Sequence, residues 1–241
     1  MALHTCAGTG AQYYQMANYD SWAAEKGFIT IYPSTPNDFQ CWDVASKATL
    51  THNGGGDSAS LVRMVQYVID KYNGDPTKVY VTGASSGCMM TNVLLAAYPD
   101  VFAAGSCYSG VAANCLAGSP GSSPISADPQ CASGQNVKTG EEWAELVRAM
   151  YPEYTGKSPR MQTFHGTADS FVNYPNLAEE LKEWSALLGV EFSHNETDTP
   201  QRGYTKMVYG DGTQLVGISA AGVGHIVPPI AAADIAWFGL G

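Results

Sequence analysis

Residues 78–97 read KVYVTGASSGCMMTNVLLAA, and the fold turns on them. Lys78 to Thr82 reads as a buried strand, because Val79 to Thr82 is an unbroken run of β-branched and aromatic side chains. It passes directly into Gly83-Ala84-Ser85-Ser86-Gly87, after which the apolar segment to Ala97 predicts a helix. A G-x-S-x-G pattern at a strand-to-helix junction makes a sharp turn, because glycines remove side chains where the two backbones close on each other, and the central serine is left strained and exposed. Five residues with three fixed positions are a modest signal by themselves. The strand before and the helix after supply the context that nucleophilic chemistry at Ser85 requires.

Outward from this unit, strand-like and helix-like stretches alternate, which predicts an α/β fold with a mostly parallel central sheet and helices on both faces. Phe28 to Tyr32 (FITIY) reads as the first buried strand. Leu61, Val62, Val65, Val68 and Ile69 recur at helical spacing within Asp57 to Tyr72, with Asp57 or Ser58 placed to cap the start after Gly54 to Gly56. Further strands are expected at Ala103 to Tyr108 and Arg160 to His165, and further helices at Glu141 to Met150, Leu177 to Leu188 and Ile230 to Phe238. Tyr204 to Tyr209 and Leu215 to Ser219, joined by Gly210-Asp211-Gly212, read as an antiparallel hairpin at the sheet edge. Ala112 to Gly140, rich in Ser, Pro, Gly and Ala, reads as one long loop able to wall a cleft. With 241 residues, no internal repeat and no linker, residues 1–241 are expected to form a single domain with one active site.

A formal charge of -10 argues against nucleic acid or an anionic membrane surface as a partner. Apolar runs of about 18 residues, the length that spans a bilayer, do not occur, and Met1 to Gly10 lack the basic start and apolar stretch of a leader. Six cysteines without CxxC spacing disfavour a zinc site and point to disulfides in an oxidising compartment. The sequon Asn195-Glu196-Thr197 is a candidate glycosylation site that agrees with export. The expectation is a secreted, extracellular, monomeric protein whose leader has been removed.

A serine hydroxyl needs a general base, and that base needs a carboxylate to fix its tautomer. Of five histidines, His4 and His52 precede Ser85, whereas a G-x-S-x-G elbow is followed by the acid and then the histidine. His225, on the glycine-rich Gly222-Val223-Gly224-His225 that follows a predicted strand, is the best base. His165 ends a strand and leads through Gly166-Thr167-Ala168 to Asp169, the best orienting acid. His194 reads as an exposed loop residue and His165 as a support for the Asp169 loop. Asp57, Asp198 and Asp211 are the rival acids, at a helix start, a polar loop and a turn. The oxyanion of acyl transfer would be held by the backbone N–H of Ser86 and by one from the early loop His4-Thr5-Cys6-Ala7-Gly8-Thr9-Gly10, at Cys6 or alternatively Thr5. This chemistry requires neither a metal nor an organic cofactor.

The elbow, together with Ile31-Tyr32-Pro33-Ser34, Cys41-Trp42-Asp43, Leu50-Thr51-His52-Asn53-Gly54-Gly55, Met89-Met90-Thr91-Asn92-Val93, His165-Gly166-Thr167-Ala168-Asp169 and Gly222-Val223-Gly224-His225, resembles the fungal carbohydrate esterases of family 1. That group, of the α/β-hydrolase superfamily, contains acetylxylan esterases and type B feruloyl esterases, and the resemblance covers nearly the whole chain. It implies a triad of Ser85, Asp169 and His225, and the disulfides Cys6–Cys41 and Cys115–Cys131. Cys88 and Cys107 depart from the small residues expected there. One begins the helix after the elbow and the other ends the next strand, so a third bridge is one expectation and two buried thiols the other.

Family members carry strands before the loop at His4, so the sheet is expected to lack its N-terminal strands and the oxyanion loop to be tethered at only one end apart from Cys6. The resemblance implies an ester of plant cell-wall polysaccharide as substrate, feruloylated or acetylated xylan. Acetylxylan esterases of the group tend to carry a tryptophan where this chain reads Ser123-Pro124-Ile125-Ser126-Ala127, so the expectation is a feruloyl esterase with acetylxylan esterase as the alternative. A polyester depolymerase and a non-catalytic hydrolase-like binding module are more distant readings. Trp42, Tyr108, Phe171 and Ile226 are candidates for the acyl pocket, against the commoner fate of such residues in a core.

Overall fold

In the computed structural model, which describes residues 1–241, seven strands form one sheet: β1 (Ala2–Leu3), β2 (Tyr80–Ala84), β3 (Ala104–Tyr108), β4 (Arg160–Gly166), β5 (Phe192–Thr197), β6 (Tyr204–Tyr209) and β7 (Leu215–Ala220). Their order is β1-β2-β3-β4-β7-β6-β5, parallel from β1 to β7, with β6 antiparallel to both of its neighbours. The helices are α1 (Gly10–Ala17), α2 (Asp20–Lys26), α3 (Gly56–Tyr72), α4 (Ser86–Ala97), α5 (Pro129–Ala132), α6 (Gly140–Arg148), α7 (Pro175–Leu188) and α8 (Ala231–Trp237). This is the arrangement expected of an α/β-hydrolase.

The strands of a parallel sheet are buried on both faces and read as continuous apolar runs. Two cores result. On one face Leu61 and Val65 of α3, Met90 and Leu94 of α4, Trp143 of α6 and Leu181 and Trp184 of α7 pack together. On the other, Tyr13 of α1 and Ile235 of α8 cover Tyr108, Phe164, Val216 and Ile218. All twelve residues of α4 are buried, so the helix that carries the elbow is a central strut of the molecule.

Three expectations needed correction. Phe28 to Tyr32 is not a strand: it lies beside β1, but only the Ile31 carbonyl accepts a ladder-like bond, from Ala2 N (2.8 Å), and the run serves as packing, with Phe28 and Tyr32 against the second core. The β6–β7 hairpin is not at the edge, because β5 pairs outside it. Helix α3 begins at Gly56 with Gly55 at its cap, and Asp57 turns aside to accept from Asn37 Nδ2 (2.8 Å) and Asp43 N (2.9 Å).

Candidate active site

The strand-helix junction at Ser85 is as tight as the two glycines imply. A Cβ on Gly83 would collide with the backbone of Gly87, and one on Gly87 with the carbonyls of Leu3 and His4. Strand β2, helix α4 and the segment after β1 therefore converge on one point that only glycine fits. Ser85 sits there at φ 54°, ψ −120°, a conformation that costs a non-glycine residue roughly 1–3 kcal/mol and persists where the surroundings over-determine it. The Ser85 N–H donates to the Tyr108 carbonyl at the end of β3 (2.7 Å), which pins the strained residue to the next strand.

The histidine and acid arrive from neighbouring strands. Strands β4 and β7 pair in parallel up to Gly166 and Ala220, so the loops that follow them emerge side by side at the sheet's carboxyl end. Asp169 and His225 sit on those loops. His225 Nε2 lies 2.8 Å from Ser85 Oγ, and its Nδ1 lies 2.8 Å from Asp169 Oδ2. The Asp169 side chain is wholly buried. Burial alone would raise its pKa, but hydrogen bonds from His165 and His225 and the Phe171 N–H outweigh it and hold the carboxyl well below the ordinary range. An ionised Asp169 only accepts, so Nδ1 of His225 carries the proton and the Nε2 lone pair faces the serine hydroxyl. That is the protonation state in which an imidazole can take a proton from Ser85.

His165 stands behind the acid. Its Nε2 is 2.8 Å from the Val172 carbonyl, which can only accept, so Nε2 bears the proton and shares it with Asp169 Oδ2 at 3.2 Å. Asp169 Oδ1 meanwhile accepts from the amides of Phe171 and Val172, both at 2.9 Å. Each carboxylate oxygen thus has two donors, and the acid cannot rotate.

The loop from His4 to Gly10 is tethered more heavily than the sequence suggested. His4 donates from Nδ1 to its neighbour's carbonyl (Thr5 O, 2.7 Å) and accepts from Thr35 N on Nε2 (3.3 Å), while burial lowers its pKa and keeps it neutral. Trp42 Nε1 donates to His4 O (2.9 Å), and the Cys6–Cys41 disulfide joins the same two segments with Cα atoms 4.3 Å apart. Within the loop, the Ala7 amide is committed to Phe39 O (2.6 Å) and the Gly8 amide to Thr5 O (3.2 Å). Thr5 and Cys6, whose amides bond to no protein acceptor, both line the cleft beside Ser85 and Ser86. Ser86 opens α4, so its N–H is one of the first-turn donors that the helix leaves free.

A cavity of about 520 Å³ opens onto Ser85 and His225. Its apolar wall includes Met89, Val111, Leu116, Phe171 and Ile226, and its far side is the segment from Ser122 to Ser133. Phe171 and Ile226 are thus cleft residues, 74% and 50% exposed, whereas Trp42 and Tyr108 belong to the cores. Pattern reasoning had no means of finding Met89, Val111 or Leu116, which look like ordinary helix and loop apolars. The remaining histidines are elsewhere: His52 stacks on Tyr151 and bonds the Ala97 carbonyl, and His194 is exposed on strand β5, not on a loop. Asn195 lies on that same exposed edge strand. The other cysteines pair as Cys115–Cys131, which closes the long segment, and Cys88–Cys107, which ties α4 to β3.

The family model described as Esterase PHB depolymerase matches residues 1–134. Feruloyl esterase B of Talaromyces funiculosus is 50% identical over 240 residues, covering 100% of this chain and 68% of the relative. Feruloyl esterase B of Neurospora crassa is 52% identical over 241 residues, covering 100% of this chain and 82% of that one. The solved acetyl xylan esterase from Aspergillus awamori superposes with a TM-score of 0.93 at 44% identity, covering 100% of this chain and 88% of its own. On these grounds the chain belongs to the Esterase PHB depolymerase family of α/β-hydrolases, in the group, carbohydrate esterase family 1, that holds the feruloyl esterases B and the acetylxylan esterases.

Proposed function

We propose that this esterase releases hydroxycinnamic acids, ferulate and p-coumarate, from their esters on arabinoxylan. Ser85 attacks the ester carbonyl as its proton passes to His225 Nε2, and the imidazolium is held by Asp169. The oxyanion accepts hydrogen bonds from the amides of Ser86 and of Cys6 or Thr5. His225 then gives its proton to the departing sugar oxygen, and water, activated the same way, hydrolyses the acyl-enzyme.

The observation that carries the preference is the cleft. It is in the size range of pockets that enclose a small aromatic molecule, one wall is apolar, and no aromatic residue between Cys115 and Cys131 fills it. An acetyl group would leave most of that wall uncovered. The likeness to the Aspergillus awamori acetyl xylan esterase favours deacetylation as the second reading. Three disulfides and the exposed Asn195 support a secreted, glycosylated protein working outside the cell on plant cell-wall polysaccharide. Initial rates on methyl ferulate, methyl p-coumarate and acetylated xylan test the reading: the cinnamate esters are expected to be the faster substrates, and a preference for acetylated xylan would reverse it.

A further inference from the structure

Beside the cleft at Ser85 lies a second cavity of about 630 Å³, and Ser122 and Ser123 stand in the walls of both. The two differ in chemistry. Apart from Cys41 and Ala45, the second is lined by serine, aspartate, asparagine, glycine and proline. An ester has two ends, and the apolar cleft suits the acyl end. The geometry points to the second cavity as the subsite for the alcohol end: a neutral, hydroxyl-rich run of sugar units on either side of the esterified one. This inference rests on the cell-wall ester reading above.

Much of the polar lining is already engaged within the protein, so the walls are fixed and the free groups stand out. Asp43 accepts from Thr49 Oγ1 (3.0 Å) and the amides of Ala45 and Ser46 (3.1 and 3.0 Å), and Asp57 is held by Asn37 and the Asp43 amide. The Asp38 carboxylate is exposed and bonds to no side chain. Ser122 Oγ accepts from Val44 N (2.9 Å) and keeps its proton to donate at the boundary of the two cavities. Between the lining residues Asp38 and Cys41 sits Phe39, 45% exposed and held at φ 53°, an aromatic side chain left in solvent where a sugar ring can stack. Neither Lys nor Arg lines either cavity, while three aspartates line the second. Like charges repel, so a chain bearing uronate or phosphate is disfavoured and a neutral one is selected.

The test separates binding from chemistry. Ser85→Ala protein is titrated calorimetrically with unsubstituted xylohexaose, alone and with Asp38→Ala or Phe39→Ala added. Each addition is expected to weaken binding about fivefold, the worth of one hydrogen bond or ring contact. With Ser85 intact, the ratio of kcat/KM on a feruloylated arabinoxylo-oligosaccharide to that on methyl ferulate is expected to fall about fivefold in the same variants. A xylo-oligosaccharide carrying glucuronate is expected to bind more weakly than the neutral one, and Asp38→Lys to narrow the gap. Absence of xylohexaose binding, or a Kd and a rate ratio indifferent to both substitutions, would overturn the subsite. If xylohexaose binds as described but no cinnamate or acetate ester is cleaved, the subsite stands and the ester reading falls.

Discussion

Replacing both Cys6 and Cys41 by serine removes the staple on the oxyanion loop while leaving every backbone amide in place. The staple closes a loop of 35 residues. The chain-entropy expression for such a loop gives about 4 kcal/mol of stability at 25 °C, which for a chain of this size lowers Tm by about 8–16 °C. The effect on catalysis is smaller. Full loss of one oxyanion donor costs about 10²–10³-fold in kcat, but here Ala7 N to Phe39 O, Trp42 Nε1 to His4 O and Thr35 N to His4 Nε2 still locate the loop, so about tenfold is expected. The oxyanion exists only during reaction, so KM should change little. Differential scanning calorimetry gives the first quantity, and steady-state hydrolysis of p-nitrophenyl acetate at 25 °C, well below either melting point, gives the second. A variant that melts early yet keeps kcat within about twofold of the parent would refute the assignment of an oxyanion donor to the stapled loop.

Ser85→Ala is expected to lower kcat on methyl ferulate by at least about 10³-fold, and Asp169→Asn by about 10⁴-fold because the His225 tautomer inverts; burst kinetics with a chromogenic ester check both. His165→Leu leaves the Val172 carbonyl and one Asp169 oxygen short of a donor, so a stability loss of roughly 1–3 kcal/mol by thermal melting and a fall in kcat without a rise in KM are expected. Asp234, fully buried with donors from Tyr19, Ser106, Tyr108 and Gln162, is pushed by burial from 3.8 to about 6. A raised folded-state pKa gives stability that is complete below about pH 4 and lost as pH rises through about 6, here about 3 kcal/mol. Glu180 and Glu183 act with the same sign, whereas Asp169, whose pKa is depressed, adds stability that is lost only in acid. Melting curves between pH 4 and pH 8 should therefore flatten in Asp234→Asn, and an unchanged slope would show that the carboxyl is ionised in the folded protein across this range, as it is in the unfolded chain.

The legible parts of this chain were those governed by local rules. The β2–elbow–α4 unit, the loops that carry Asp169 and His225, and the helix periods could be read because glycine, β-branched and apolar spacing dictate them within a dozen residues. Strand β5 could not. FSHNET has no buried face, and it becomes a strand only because β6 offers it an edge. FITIY failed in the opposite sense: it has strand composition, but its place beside β1 gives it a single ladder bond. The roles of His4 and of Phe39's carbonyl in holding the oxyanion loop depend on contacts across more than thirty positions of sequence, which no pattern encodes.

The segment between Cys115 and Cys131 makes one side of the cleft, yet its ends are fixed by a bridge whose Cα atoms lie 5.6 Å apart, and none of Ser85, Asp169 and His225 comes from it. It is in effect a cassette with its own clasp. Transplanting residues 115–131 from a relative would have to match that short span and the bonds from Val44 N to Ser122 and from Gly118 N to Ala45, leaving Ser85, Asp169 and His225 untouched. On the reading proposed above, ester preference can be redesigned within one closed loop while Ser85, Asp169 and His225 stay in place.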